Sequence, residues 1–233
     1  MNVFNNRTII APDRRELWGG LGCFVAYLLA IPMVVSLFFA FSEDSLRTDF
    51  LYDLSITVCS FLLILAVFRN FLFRSGVPIG LLLMTCLFGF LGYRALDSLW
   101  WILLLFIQGF LPELPTNMNQ ELVEEFLRNY RGYMILNVVV LAPFVEEILF
   151  RGVIFAPMCK KRPFLAYVAS IVAFAGLHVV GFIGYQPWWM LLFSFLQYIP
   201  AAFVLCWSYQ RSCSIWAPIL LHGIMNLVSS VGI

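Results

Sequence analysis

The chain has 233 residues, 62% hydrophobic, 17% aromatic and only 12% charged, whereas a soluble domain usually carries charge on about a quarter of its residues. This excludes a soluble fold, which would lack the polar surface to cover its core, and a disordered chain, which would lack apolar area to bury. With 14 Lys and Arg against 13 Asp and Glu, the net charge of +1 offers no basic face for nucleic acid. An all-α, polytopic transmembrane helix bundle remains.

A crossing needs about 20 mostly apolar residues. The first apolar stretch, 18–41, exceeds the length of a signal-peptide core and has no small-x-small cleavage site after it, so it reads as a retained span with Pro32 as a kink. Further stretches lie at 51–68, 77–93, 99–111, 133–158, 164–183, 188–209 and 214–231, about seven to eight segments in all. Arg7, Arg14 and Arg15 precede the first, Arg69 and Arg74 follow the second, Lys160, Lys161 and Arg162 separate the fifth and sixth, and Arg211 separates the last two. All these clusters fall on the cytoplasmic side only if 77–111 crosses an odd number of times. A break at Arg94 and Asp97 would give seven crossings and one partial segment. Residues 112–131 are polar, but Leu122, Phe126 and Tyr130 recur every fourth residue, as in an interfacial amphipathic helix. It would serve as a substrate-contacting lid or as a plain connector. The six cysteines lie in or at the ends of apolar runs with no CxxC, so they read as small reduced apolar side chains.

Ionisable residues inside apolar sequence are functional candidates, because an unpaired charge in hydrocarbon is costly. Three clusters stand out, all in the C-terminal half. In Glu146-Glu147-Ile148-Leu149-Phe150-Arg151, Glu147 and Arg151 are four apart and can pair. Glu146 points about 100° away and faces something else. In Phe174-Ala175-Gly176-Leu177-His178 and the turns before it, the small residues Ala169, Ser170, Ala173 and Gly176 recur ahead of the histidine, which would let this helix approach a neighbour closely. His222 and Asn226 share one helical face with Gly223 between them. Counted from the cytoplasmic ends of their helices at about 1.5 Å per residue, the depths are roughly 16 Å for Glu146, 23 Å for His178, 12 Å for His222 and 18 Å for Asn226. One band of the bilayer holds all four. A carboxylate, two imidazoles and an amide suit activation of water and stabilisation of an oxyanion. No GxSxG elbow or HExxH spacing is present.

The ordered motifs EExxxR at Glu146–Arg151, FxxxH at Phe174–His178 and HxxxN at His222–Asn226 resemble the CPBP (Abi) family of CAAX-processing proteases and bacteriocin-processing or immunity proteins. The resemblance implies a glutamate-dependent intramembrane endopeptidase with a hydrated cavity, working without metal or other cofactor on a peptide or membrane-protein substrate. Glu146 and His178 would activate water, His222 and Asn226 would hold the oxyanion, and Glu147 and Arg151 would support the site. Residues 1–131 would form N-terminal spans and a connector, and residues 132–233 the catalytic bundle. The expected location is the bacterial cell membrane, since the short loops are closer to bacterial members, which are linked to peptide maturation and bacteriocin immunity. Two other readings stay open: a zinc protease using His178, His222 and Glu146 as ligands, and a non-enzymatic immunity or scaffold protein.

Overall fold

A computed structural model describes residues 8–43, 45–108 and 117–231. These form seven helices with no strand among them: α1 (Arg14–Phe39), α2 (Leu46–Arg74), α3 (Ile79–Gln108), α4 (118–159), α5 (Pro163–Val180), α6 (Trp188–Ser212) and α7 (Trp216–Val231). All but α4 and the shorter α7 are long and apolar enough to cross a membrane. Bulky side chains such as Phe38, Phe73 and Phe164 stand largely exposed, which suits a surface that meets lipid rather than water.

From residue 79 to residue 108 the two stretches are one continuous helix, which corrects the expected break; residues 109–111 of the second stretch lie outside the described residues. Arg94 Nη1 bonds Asp97 Oδ2 at 3.1 Å within the helix, so the charges satisfy each other and the backbone need not open. They also sit about 22 and 27 Å from the start of α3, toward the far edge of a hydrocarbon core about 30 Å thick. With α3 crossing once, seven alternating helices bring the basic clusters of the described residues to one end, and no partial segment is needed. Contacts tie that end together. Arg74 on α2 bonds Glu16 on α1 at 2.6 Å, the Tyr209 hydroxyl donates to Ile10 O, Ser214 donates to Ser75 O, and Trp216 Nε1 donates to Leu72 O at 3.2 Å. At the same end Asp13 caps α1 in a capping box with Glu16. The Glu16 backbone N–H holds the Asp13 carboxyl below its usual range.

Proline shapes the helices. Wide, five-residue-turn stretches occupy Ala26–Ala30, Asn137–Leu141 and Ile148–Phe155, and each ends two residues before a proline: Pro32, Pro143 and Pro157. A proline inside a helix has no N–H to donate and clashes with the carbonyl four residues back; widening the preceding turn relieves that clash. The helical bonding of α6 is interrupted at Tyr198, again two residues before Pro200. Tyr130 is a non-helical kink in α4 (φ −132°, ψ 39°), and the amphipathic segment before it packs Phe126 and Leu127 against Phe50.

The second half of α4 is the centre of the bundle, touched by α1, α2, α5, α6 and α7, while α6 also packs among α3, α5 and α7. Its core joins Phe68 and Phe71 of α2 to Ile148, Leu149 and Phe155 of α4 and Tyr209 of α6. Lipid tails are as apolar as these side chains, so the gain comes from close packing rather than escape from water. The Cβ that Gly20 lacks would lie 2.5 Å from a Val153 methyl, so a residue without a side chain sets the distance between α1 and α4.

Candidate active site

Glu146 and Glu147 end the short regular turn Ala142–Glu147 between the two wide stretches of α4, and both are buried. Their surroundings differ as the helical offset predicts. Arg151 Nη1 donates to Glu147 Oε1 at 2.9 Å, with both side chains fully buried. The guanidinium also donates to Ala202 O at 3.2 Å and lies 4.4 Å over the Phe174 ring. His222 Nδ1 reaches the same Glu147 oxygen at 2.8 Å. A carboxylate oxygen only accepts, so Nδ1 carries the proton and Nε2 is turned away from Glu147.

Nε2 faces Glu146. It lies 4.0 Å from Glu146 Oε2, and His178 Nε2 lies 3.9 Å from the same oxygen. Oε2 has no hydrogen-bond partner among the described residues. His178 Nδ1 sits 2.8 Å from Phe174 O, one turn back on α5; donation to that carbonyl fixes the tautomer and leaves the Nε2 lone pair toward Glu146. Phe174 contributes its ring as well, 4.5 Å from His178 and 5.7 Å from His222 by centroids. The Phe of FxxxH thus supports both imidazoles.

Asn226 is placed differently. Its Nδ2 donates to Val138 O at 2.7 Å. In the five-residue register of that stretch, where Ala142 N–H bonds Asn137 O, the next donor to Val138 O would be the N–H that Pro143 lacks. Asn226 stands in for it, and the second N–H of its amide stays available. Gly223 makes this possible, because its absent Cβ would lie 2.5 Å from Val139 O. The expected close approach of α5 holds at Ser170, which is buried and donates to Phe150 O at 3.1 Å. It fails at Gly176, which would meet nothing within 4 Å.

Sequence reading missed three neighbours. Tyr198 stacks on His178 with centroids 4.3 Å apart, and its hydroxyl accepts from Asn119 at 2.9 Å and Asn117 at 3.3 Å. The start of the amphipathic helix is thereby tied to the site; the helix break before Pro200 was the available signal. Asp53 and Tyr27, from the N-terminal half, come within electrostatic reach of Glu146. Asp53 sits near one end of an apolar run and reads there as a flanking charge. No group of three His, Cys, Asp or Glu side chains among the described residues is arranged to hold a metal ion.

Residues 129–228 match the family model described as type II CAAX prenyl endopeptidase Rce1-like. The chain is also similar to the UPF0177 protein YbdI of Lactococcus lactis subsp. lactis (strain IL1403), 29% identical over 123 residues, which are 51% of this chain and 60% of that protein. It therefore spans less than two thirds of that relative's length. No solved structure matches it. All the motif residues, from Glu146 to Asn226, lie inside the matched segment. Residues 129–228 are thus similar to type II CAAX prenyl endopeptidases, in agreement with the CPBP resemblance carried by the three motifs.

Proposed function

We propose that the chain is an intramembrane endopeptidase that hydrolyses a peptide bond with water activated by Glu146 and His178. The observation that carries this reading is the Glu146 Oε2 atom, unpartnered and 3.9 Å from an imidazole lone pair. Two acceptors at that spacing suit the two hydrogens of one water. Glu146 takes one proton as the water oxygen attacks the carbonyl carbon, and His178 Nε2 orients the other hydrogen. Negative charge then develops on the carbonyl oxygen, where His222 Nε2–H and the spare Asn226 N–H donate to it. Since Nδ1–H of His222 already donates to Glu147, that Nε2–H exists only in the doubly protonated ring. Collapse of the intermediate breaks the C–N bond, and the proton held by Glu146 passes to the leaving amine. Glu147 and Arg151 hold His222 in place and touch no substrate.

The family description points to CAAX-type tails as one substrate class, and the similarity to a Lactococcus lactis protein supports a bacterial source. The test is to incubate the purified protein with a peptide library and read the products by mass spectrometry. Glu146→Gln, which keeps the shape of the side chain, is expected to lower cleavage by about a hundredfold or more. Undiminished cleavage by this variant ends the proposal. Activity that is lost to a chelator and restored by zinc reassigns the water to a metal. A peptide-protection phenotype that survives loss of both Glu146 and His178 indicates the non-enzymatic reading.

A further inference from the structure

Among the described residues, Glu146 is one of two carboxylates inside the bundle without a Lys or Arg partner. Asp53, on α2, is only partly exposed, and its Oδ2 accepts from Asn137 Nδ2 at 3.1 Å. Asn137 opens the wide stretch of α4 and is 2% exposed. It immediately precedes Val138, the residue that engages Asn226. The other end of its amide, Oδ1, is buried and has no hydrogen-bond partner among the described residues. Asp53 and Glu146 lie close enough to interact electrostatically, with Tyr27 of α1 in reach of both.

The charges around this region are unevenly matched. Glu147 is compensated by Arg151, Asp97 by Arg94, and Glu16 by Arg74. No ion pair among the described residues joins Asp53 to a Lys or Arg, and Glu146 meets only imidazoles. Two acidic groups within electrostatic range of each other, and an orphaned carbonyl acceptor bonded to one of them through its amide, therefore lie on the Asn137 side of the site. A low-dielectric setting amplifies their pull on a cation and their rejection of an anion.

We propose that Asp53 and Asn137 form an acceptor subsite that takes a Lys or Arg side chain of the peptide being cleaved. The inference rests on the endopeptidase reading and adds its substrate class, a peptide with a basic residue near the scissile bond. An ammonium or guanidinium carries several N–H donors and can satisfy the carboxylate and the amide oxygen together. A neutral side chain satisfies less of this pair, and an acidic one is repelled by Asp53 and Glu146.

The experiment compares matched peptides carrying Lys, Gln or Glu at each position flanking the cleaved bond, using the purified full chain. At one position Lys is expected to exceed Gln in kcat/KM by roughly tenfold, with Glu below both. Asp53→Asn is expected to bring the Lys-to-Gln ratio close to one. The ratio is insensitive to a misfolded fraction, which lowers both rates alike; Asn137→Ala provides a second variant with the same expected direction. A parallel arm measures binding of fluorescent Lys and Gln peptides to Glu146→Gln protein, with and without Asp53→Asn. Equal cleavage of all three peptides, or a Lys preference that survives Asp53→Asn, overturns the subsite and leaves the endopeptidase standing. If the wild-type chain cleaves nothing, the endopeptidase reading fails. The binding arm then decides the subsite, and equal binding of both peptides overturns it.

Discussion

Two neighbouring glutamates have opposite fates because about 100° of helical rotation separates their side chains. Glu147 turns into protein and finds Arg151 and His222; Glu146 turns toward the imidazoles and keeps an oxygen unpartnered. The Glu147–Arg151 pair was legible from its four-residue spacing alone. The contact from Glu147 to His222, 75 residues away, was not, since it depends on how α7 is rotated against α4. Arg151→Met leaves the fully buried Glu147 without its guanidinium. The expected cost is about 3–5 kcal/mol, measurable as a lowered melting temperature in detergent. Adding Glu147→Gln to that variant should recover much of the loss, because the stranded charge is then gone. A single variant that melts with the wild type contradicts this account of the pair.

At the scale of elements, the wide stretch Asn137–Leu141 links packing to chemistry. Pro143 removes a donor, Asn226 replaces it at Val138 O, and Gly223 lets α7 come close enough to do so. Gly223→Ala drives a Cβ against a backbone oxygen, which has less freedom to move than a side-chain tip. We expect a loss of about 1–3 kcal/mol in stability, together with impaired peptide cleavage. Gly176→Ala, two residues before His178, has open space around it and should leave stability within about 0.5 kcal/mol. Equal melting temperatures for the two variants would contradict the close approach. The prolines that provoke the wide turns are visible in the sequence, and Pro32 was read there as a kink. Which carbonyl each proline frees, and which side chain takes it, depends on a neighbouring helix.

Over the whole molecule, seven helices with α3 crossing once place residues 76 and 161 at one end, and residues 42 and 185 at the other. Single Gly76→Cys and Lys161→Cys variants, in a background without the native cysteines, should label alike with a membrane-impermeant maleimide. Ser42→Cys and Tyr185→Cys should label from the opposite side. Opposite labelling of 76 and 161 would restore a second crossing within 77–111.

The sequence by itself determined the membrane class, the approximate spans, the Glu147–Arg151 pair and the common depth of Glu146, His178, His222 and Asn226. Hydropathy, helical period and rise per residue are local properties, readable in a window of some 20 residues. Only the tertiary structure decided that α3 runs unbroken, that Tyr198 lies against His178 and is bonded to the start of α4, and that Asp53 approaches Glu146 from the other half of the chain. Each of these depends on the rotation and lateral neighbours of whole helices. In lipid those are set by close packing and by the pairing of buried polar groups, which linear spacing does not encode.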